Sequence, residues 1–351
     1  MPINFFDPAY RVIHLPLVFV LGACFGSFFN VCIYRIPRAM ALSFPGSHCY
    51  RCGRPVRWYD NVPLLSYWIL RGHCRECGAR FSIRYFVVEL LTALLFVLCF
   101  VQTSRTNYSL AFFSGVLLIG LLMIATFTDL DHWIIPDRIS LGGLAGGVLL
   151  AALWSLLLWR GMSPSLLAGN PLLSELGPVP AALLPLANAL AGAALGFGVM
   201  WGIGALGALI FRKEAMGWGD IKLFAMFGAF CGMEELLTIL ILACVFGTLA
   251  GVLGIVLAKR AARRAVAAAV APLAPDAARA GELAALYPLG RDERLVIARA
   301  LTQPGTVGPV RHHLPFGPSL ALAAVIVYLF GAQINHWFLT LMLGAGGMGG
   351  Y

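Results

Sequence analysis

Four cysteines stand at metal-ligand spacing in the first third of the chain. Cys49-Tyr50-Arg51-Cys52 and Cys74-Arg75-Glu76-Cys77 are two C-x-x-C pairs with 21 residues between them. Two such knuckles suit a tetrahedral Zn2+ held by four thiolates. Each pair is followed by a glycine, Gly53 and Gly78, which permits the tight turn a knuckle needs. Four cysteines leave no open position, so the zinc is expected to be structural. His48 and His73 sit beside ligands but outside the set. Cys24, Cys32, Cys99, Cys231 and Cys244 lie in or beside apolar runs and read as small hydrophobes.

The second constellation is acidic. A carboxylate near hydrocarbon is costly, so each one placed there is a candidate for chemistry. Asp129, Asp131 and Asp137 lie where one apolar run ends and the next begins; Asp220 follows Gly217-Trp218-Gly219 and precedes Lys222; Glu89 lies just inside another run. Asp129 and Asp220 are expected to face each other at one membrane depth. Two close carboxyl groups share a proton. One then acts as general base on a water while the other protonates or polarises a peptide carbonyl, and hydrolysis needs no further nucleophile. Gly217 and Gly219 leave the backbone bare for close approach. Blander roles stand beside these. Asp137 after Pro136 is ordinary first-turn helix chemistry, Asp131 suits an interface, and Lys222 is either a membrane anchor or a bias on Asp220. Glu89 is either a buried hydrogen-bonding group or a site residue.

These residues need helices in lipid to position them. Of 351 residues, 60% are hydrophobic and 12% charged, against about 25% charged in soluble domains. That excludes a soluble enzyme, a disordered tail and a disulfide mini-protein. The composition predicts an all-α polytopic membrane protein. Spans of about 20 residues are expected near 12–34, 86–103, 109–128, 139–158, 183–211, 221–233, 236–258 and 314–333. The run at 221–233 is short, and that at 183–211 is long enough to tilt or break. The first run lacks a basic flank and a small-residue cleavage site, so it is expected to remain as a span. With the N-terminus outside, segments 35–85, 129–138, 212–222 and 259–313 hold 22 of the 25 Lys and Arg residues. Basic residues stay on the cytoplasmic side. The net charge of +9 is therefore a topology signal, with lipid the expected surface partner. No basic stripe with interleaved aromatics exists off the membrane, so nucleic acid is not expected. A cytosolic loop also disfavours disulfides. Gly202-Ile203-Gly204-Ala205-Leu206-Gly207 matches a dinucleotide pattern but has no preceding strand; helix packing is the better reading.

Together the motifs resemble the bacterial type 4 prepilin leader peptidase family, the bifunctional prepilin peptidase/N-methyltransferases. The match runs through Gly26-Ser27-Phe28-Phe29-Asn30-Val31-Cys32-Ile33-Tyr34-Arg35-Ile36-Pro37 and both cysteine pairs. It continues through Ser82-Ile83-Arg84-Tyr85, Val88-Glu89-Leu90, Asp129-Leu130-Asp131, Ile135-Pro136-Asp137 and Gly217-Trp218-Gly219-Asp220-Ile221-Lys222. It ends at Pro315-Phe316-Gly317-Pro318. The resemblance implies a non-pepsin aspartic protease of the bacterial inner membrane. Such enzymes cut the basic leader from type IV prepilins or type II secretion pseudopilins at the cytoplasmic face, between Gly and usually Phe. They then methylate the new N-terminal amine with S-adenosylmethionine. Asp129 and Asp220 match the family's catalytic aspartates.

Departures are Phe86, where proline is expected, a long outer loop at 160–182 and an Ala/Arg/Pro-rich insert before the final motif. Neither segment touches the proposed aspartates. The expected layout is a first span (1–34), a zinc-binding cytoplasmic loop (35–85), a catalytic membrane core (86–258), a cytoplasmic insert (259–313) and a last span with tail (314–351). No soluble nucleotide-binding module is present, so a methyl-transfer site must be built by the loop and span ends, with Glu89, Asn30 and Arg35 as candidates. The arginines of the loop oppose a simple grip on a basic leader. Recognition is left to local acids (Asp60, Glu76, Asp131, Asp137) or to shape. Three other readings remain open at this point: an intramembrane aspartyl protease of another type without methyl transfer, an ion-coupled transporter, and an assembly scaffold that uses zinc.

Overall fold

A computed structural model describes residues 11–104, 109–161, 180–213, 216–270 and 316–346. Among these no β-strand occurs, and the architecture is helical. The helices are α1 (Arg11–Arg35), α2 (Leu65–Ile69), α3 (Arg84–Ser104), α4 (Ser109–His132), α5 (Asp137–Trp159), α6 (Leu184–Phe211), α7 (Trp218–Cys231), α8 (Glu235–Val270) and α9 (Gly317–Gly346). Apart from the short α2, they fall on the eight expected runs. The long run at 183–211 is one unbroken helix of 28 residues.

Six of the helices are long and apolar enough to cross a membrane by length and composition, and the chain is a multi-pass membrane protein. The count of eight is met differently at α7. Helix α9 runs unbroken for 30 residues. Helix α7 has 14 residues, a rise of about 21 Å against a hydrocarbon core of about 30 Å. Ile221, Leu223, Phe224, Ala225, Met226, Phe227, Gly228 and Ala229 are all buried, so other helices surround it in place of lipid. It ends at Gly232, whose φ of 82° stops the helix.

Close helix contacts depend on missing side chains. Helix α1 packs on α3. A Cβ on Gly22 would fall 2.7 Å from the Cα of Ala93, and one on Gly26 would fall 2.6 Å from the Cα of Glu89. Helix α7 packs on α6 and α5, and Gly192 and Gly228 meet backbone to backbone. Within the Gly202–Gly207 stretch, a Cβ on Gly202 would meet open space, and one on Gly204 would make only ordinary contacts with Met216 and Ile221. The closely packed glycines are Gly192 and Gly196, one helical turn apart.

Helix α8 belongs to the bundle up to Ala243, and from Cys244 it belongs to a second unit. It continues unbroken through residues 259–270. The remainder of the expected insert, Pro315, the chain ends and most of the 160–182 loop lie outside the described residues.

Gly228→Ala is expected to destabilise the bundle by about 1–3 kcal/mol, because backbone cannot yield to the added methyl group. Gly202→Ala is expected to be near neutral. Thermal unfolding of both variants in one detergent checks the contrast.

Candidate functional site

Asp129 lies in the last turn of α4. Its backbone carbonyl accepts from Trp133 N–H at 2.8 Å, and Trp133, at φ 59°, ends the helix. A carboxylate at a helix C-terminus meets the negative end of the helix dipole, and this one is only 7% exposed. Its compensation comes from elsewhere in the chain. Gly317, the first residue of α9, donates its backbone N–H to the Asp129 carboxylate. The contact is so close that a Cβ on Gly317 would collide with Asp129 Oδ2.

Asp220 lies in the first turn of α7 behind Gly217, whose extended backbone (ψ 140°) starts the helix. There the dipole favours an acid. The charge on Asp129 bears on Asp220, so the two sequence-distant carboxyl groups occupy one electrostatic site. Ile135 knits the three elements. A Cβ on Gly219 would lie 3.0 Å from Ile135 Cβ, and one on Gly317 would lie 3.3 Å from Ile135 Cδ1. Buried Ile135 thus spaces the starts of α7 and α9 from the α4–α5 turn. Ile135 and Gly317 lie within sequence motifs, but their residue types alone do not announce these contacts. The usable signal at Gly317 was a glycine followed by proline at a helix start.

The surrounding charges are committed to one another. Lys222, read from the sequence as either a membrane anchor or a bias on Asp220, reaches Asp137 at 2.7 Å. Arg84, at the start of α3, pairs with Asp131 and so ties the cysteine-loop side to the end of α4. Asp60 accepts from Arg75 at 2.6 and 2.8 Å, and that guanidinium holds its carboxyl below the usual carboxylate range. Glu76 accepts from Arg54 at 2.5 Å and Arg57 at 3.2 Å. All four acids considered for holding a basic leader therefore already carry a basic partner.

The cysteine loop is built twice. Gly53 N–H bonds Cys49 carbonyl at 2.9 Å and Gly78 N–H bonds Cys74 carbonyl at 2.9 Å. Both glycines are left-handed, at φ 68° and 66°. Isolated bridges join His48 to Pro55 and His73 to Arg80. The two histidine rings bond backbone carbonyls, of Gly46 at 3.0 Å and Arg71 at 2.6 Å, and stay out of the sulfur cluster as expected. The four Sγ atoms lie within 4.8 Å of one another, with Cys49 and Cys77 at 3.7 Å. A tetrahedron with metal–sulfur bonds of about 2.3 Å has edges of about 3.8 Å. The cluster fits a metal ion held by four sulfurs. The backbone N–H of Cys52 pulls the Cys49 thiol down to about 6, while desolvation and the neighbouring sulfurs push Cys77 up to about 11.

Asn30, Arg35 and Glu89 line one open cavity of about 820 Å³ between α1, α3 and the cysteine loop. Arg35, 5% exposed, spends its guanidinium on the carbonyls of Ala41, Leu42, Pro45 and Gly46 at 2.5–3.5 Å. It shapes the chain leaving α1. Asn30 donates Nδ2–H to Tyr85 carbonyl at 3.0 Å. Glu89 Oε2 accepts Leu64 N–H at 2.7 Å.

With this geometry in place, comparisons with known proteins add the lineage. A bacterial peptidase A24 N-terminal domain model matches residues 20–103, and the type IV leader peptidase family model matches residues 116–252. The chain is similar to a prepilin leader peptidase/N-methyltransferase of Myxococcus xanthus (strain DK1622), 34% identical over 359 residues and 97% of each chain. It is 29% identical to one of Aeromonas salmonicida (strain A449) over 360 residues, 94% of this chain and 96% of that one. It is 34% identical to one of Klebsiella pneumoniae over 248 residues, 68% of this chain and 94% of that one. No solved structure matches the chain.

If one ion joins both knuckles, a chelator is expected to release all four loop thiols together in the native full-length protein. Thiol titration with a chromogenic disulfide reads this directly, and separate release of the two pairs would show that no ion is shared.

Proposed function

The chain belongs to the type IV leader peptidase family, and from that membership we propose that it cleaves leaders from prepilin-like substrates and methylates the amine it exposes. The substrates are type IV prepilins or type II secretion pseudopilins, met at the cytoplasmic face of the bacterial inner membrane. The observation that carries the reading is the convergence of Asp129 and Asp220 at one end of the helix bundle. Two carboxyl groups with one proton between them supply both halves of peptide hydrolysis. The ionised one takes a proton from water as the oxygen attacks the scissile carbonyl. The protonated one gives its proton to that carbonyl oxygen. The departing amine then takes a proton from one carboxyl group as the C–N bond breaks, and a hydroxyl of the intermediate returns its proton to the other, which restores the shared proton. Asp131 and Asp137 support the site through their ion pairs with Arg84 and Lys222, and Gly217 and Gly219 by leaving the start of α7 uncovered.

The shape of the substrate agrees with this placement. A basic leader followed by an apolar helix approaches laterally in the bilayer, with its scissile bond near the inner interface. The end of α4 and the start of α7 supply carboxyl groups at such a depth. Because the nearby acids are already paired, the leader is recognised by shape or by exchange with Arg84 or Lys222.

In this reading Cys49, Cys52, Cys74 and Cys77 hold one structural Zn2+, whose closed sulfur shell leaves no room for catalysis. S-adenosylmethionine supplies the methyl group, and the loop at 35–85 together with the neighbouring ends of α1 and α3 forms that half of the enzyme. Residues 86–258 and the last span form the proteolytic half. The match of relatives across nearly the whole chain, cysteine loop included, favours this reading over a protease without methyl transfer and over a transporter.

Asp129→Asn and Asp220→Asn are each expected to lower leader cleavage by about 10²–10⁴-fold or more while the protein still inserts and folds. Mass measurement of the product peptide checks both, and cleavage by either purified variant at the wild-type rate would remove the dyad. Cys52→Ser is expected to lose zinc and to impair methylation more than cleavage, as read by metal content and product mass. Equal loss of the two activities at unchanged protein level would count against a methyl-transfer role for the loop.

A further inference from the structure

The cavity between α1, α3 and the cysteine loop is about 820 Å³, well within the size range of small-molecule sites. Its polar lining is one-sided. Asn30 is only 4% exposed. Its Nδ2 group is committed to Tyr85 carbonyl at 3.0 Å, which fixes the orientation of the amide. Asn30 Oδ1 is buried and has no hydrogen-bond partner among the described residues. Buried acceptors are nearly always satisfied, so this one calls for a donor.

Glu89 adds a charge of matching sense. Its Cα packs against Gly26 and its carboxylate accepts Leu64 N–H, yet no basic side chain pairs with it among the described residues. Arg35 lines the same cavity, but backbone carbonyls hold its guanidinium. Asp60 also lines it, and Arg75 neutralises that carboxyl. What remains in one lining is a carboxylate held by Leu64 N–H and the Ser27 side chain but by no basic group, and, on Asn30, a carbonyl oxygen buried without a partner. The rim is under strain as well. Leu64, at φ 63° and ψ −50°, is the centre of a γ-turn closed by Leu65 N–H to Pro63 carbonyl at 2.7 Å. This is a costly conformation for a residue with a side chain, and Glu89 is what clasps it.

We propose that this cavity is the methyl-transfer chamber and that Asn30 Oδ1 and the Glu89 carboxylate form its receptor for a primary ammonium group. The inference rests on the reading that this chain is an N-methyltransferase as well as a protease. An ammonium offers three donors and one positive charge, which answers the unsatisfied oxygen of Asn30 and the uncompensated charge of Glu89 together. Two reactants carry that group: the amino-acid end of S-adenosylmethionine, and the N-terminus freed by leader cleavage.

The test uses full-length protein in phosphatidylglycerol-containing nanodiscs and titration calorimetry. One arm titrates S-adenosylhomocysteine, which has the ammonium but no transferable methyl. The other titrates a peptide with the mature N-terminus, beside its N-acetylated twin. Glu89→Gln and Asn30→Ala are expected to weaken binding of one probe by roughly 10- to 100-fold, with leader cleavage held within about twofold. Weakening in the first arm places the donor's ammonium in the receptor. Weakening in the second, together with poor binding of the acetylated twin by wild type, places the peptide's. Wild-type affinity for both probes in both variants overturns the proposal. Should Glu89→Gln also abolish cleavage, Asn30→Ala alone decides, because it leaves the Leu64 clasp in place. A wild-type protein that cleaves but neither binds S-adenosylhomocysteine nor methylates would overturn the methyltransferase reading itself, a result visible before any variant is made.

Discussion

The carboxyl group of Asp129 is placed where two effects oppose its charge: the carbonyl end of α4 and the low dielectric of a packed helix bundle. A helix cannot relieve either effect from within its own residues. The relief comes from the N-terminus of α9, where Gly317 presents a backbone N–H to the carboxylate, and from the exposed α4–α5 turn just beyond. Much of the bundle follows from that requirement. Helix α9 must pack on α4 and α7, its first residue must lack a side chain, and Ile135 must fill the space between it and the start of α7. Asp220, at the favourable end of its own helix, is then brought within electrostatic reach of a group that α4 could not hold ionisable alone.

A second constraint separates the cysteine-loop side of the bundle from the pair of aspartates. Helices α1 and α3 pack along Gly22 and Gly26 and carry the cysteine loop between them, while α7 is enclosed by α5 and α6. The Arg84–Asp131 pair and the packing of α3 on α4 join these regions. A surface ion pair contributes about 1 kcal/mol or less, so packing supplies the attachment and the pair supplies register. Such a division lets a residue of the cavity lining, such as Asn30, be changed without touching the groups around Ile135.

The cysteine loop shows how a small region folds without a core of its own. Its two knuckles repeat turn for turn, from the left-handed glycine to the histidine bonded back to a carbonyl. The repeat brings four sulfurs to one point. A fifty-residue loop rich in arginine buries too little apolar surface to hold itself, and a cluster of four sulfurs able to hold a metal ion stands where that surface would be. The ion pairs of Asp60 and Glu76 with Arg75, Arg54 and Arg57 close the loop's exterior, which is why these acids are not available to a basic leader.

Cysteine spacing, carboxylates set against apolar runs and the distribution of Lys and Arg were legible in the chain because each depends on local pattern or on partition between water and lipid. These establish a polytopic helical protein, a four-sulfur site and two acids out of place. The length of α7 and its enclosure were not legible, since a short apolar run has the same composition whether lipid or protein surrounds it. Lys222 bonding Asp137 instead of Asp220, Arg35 spent on its own loop, and the packing role of Gly192 in place of Gly202 were likewise beyond the pattern. Each is a choice among partners far apart in the chain or similar in kind, and only the positions of packed helices in three dimensions make that choice. The unsatisfied oxygen of Asn30 belongs to the same class: a residue type announces a hydrogen-bonding group, and the tertiary structure alone decides whether anything reaches it.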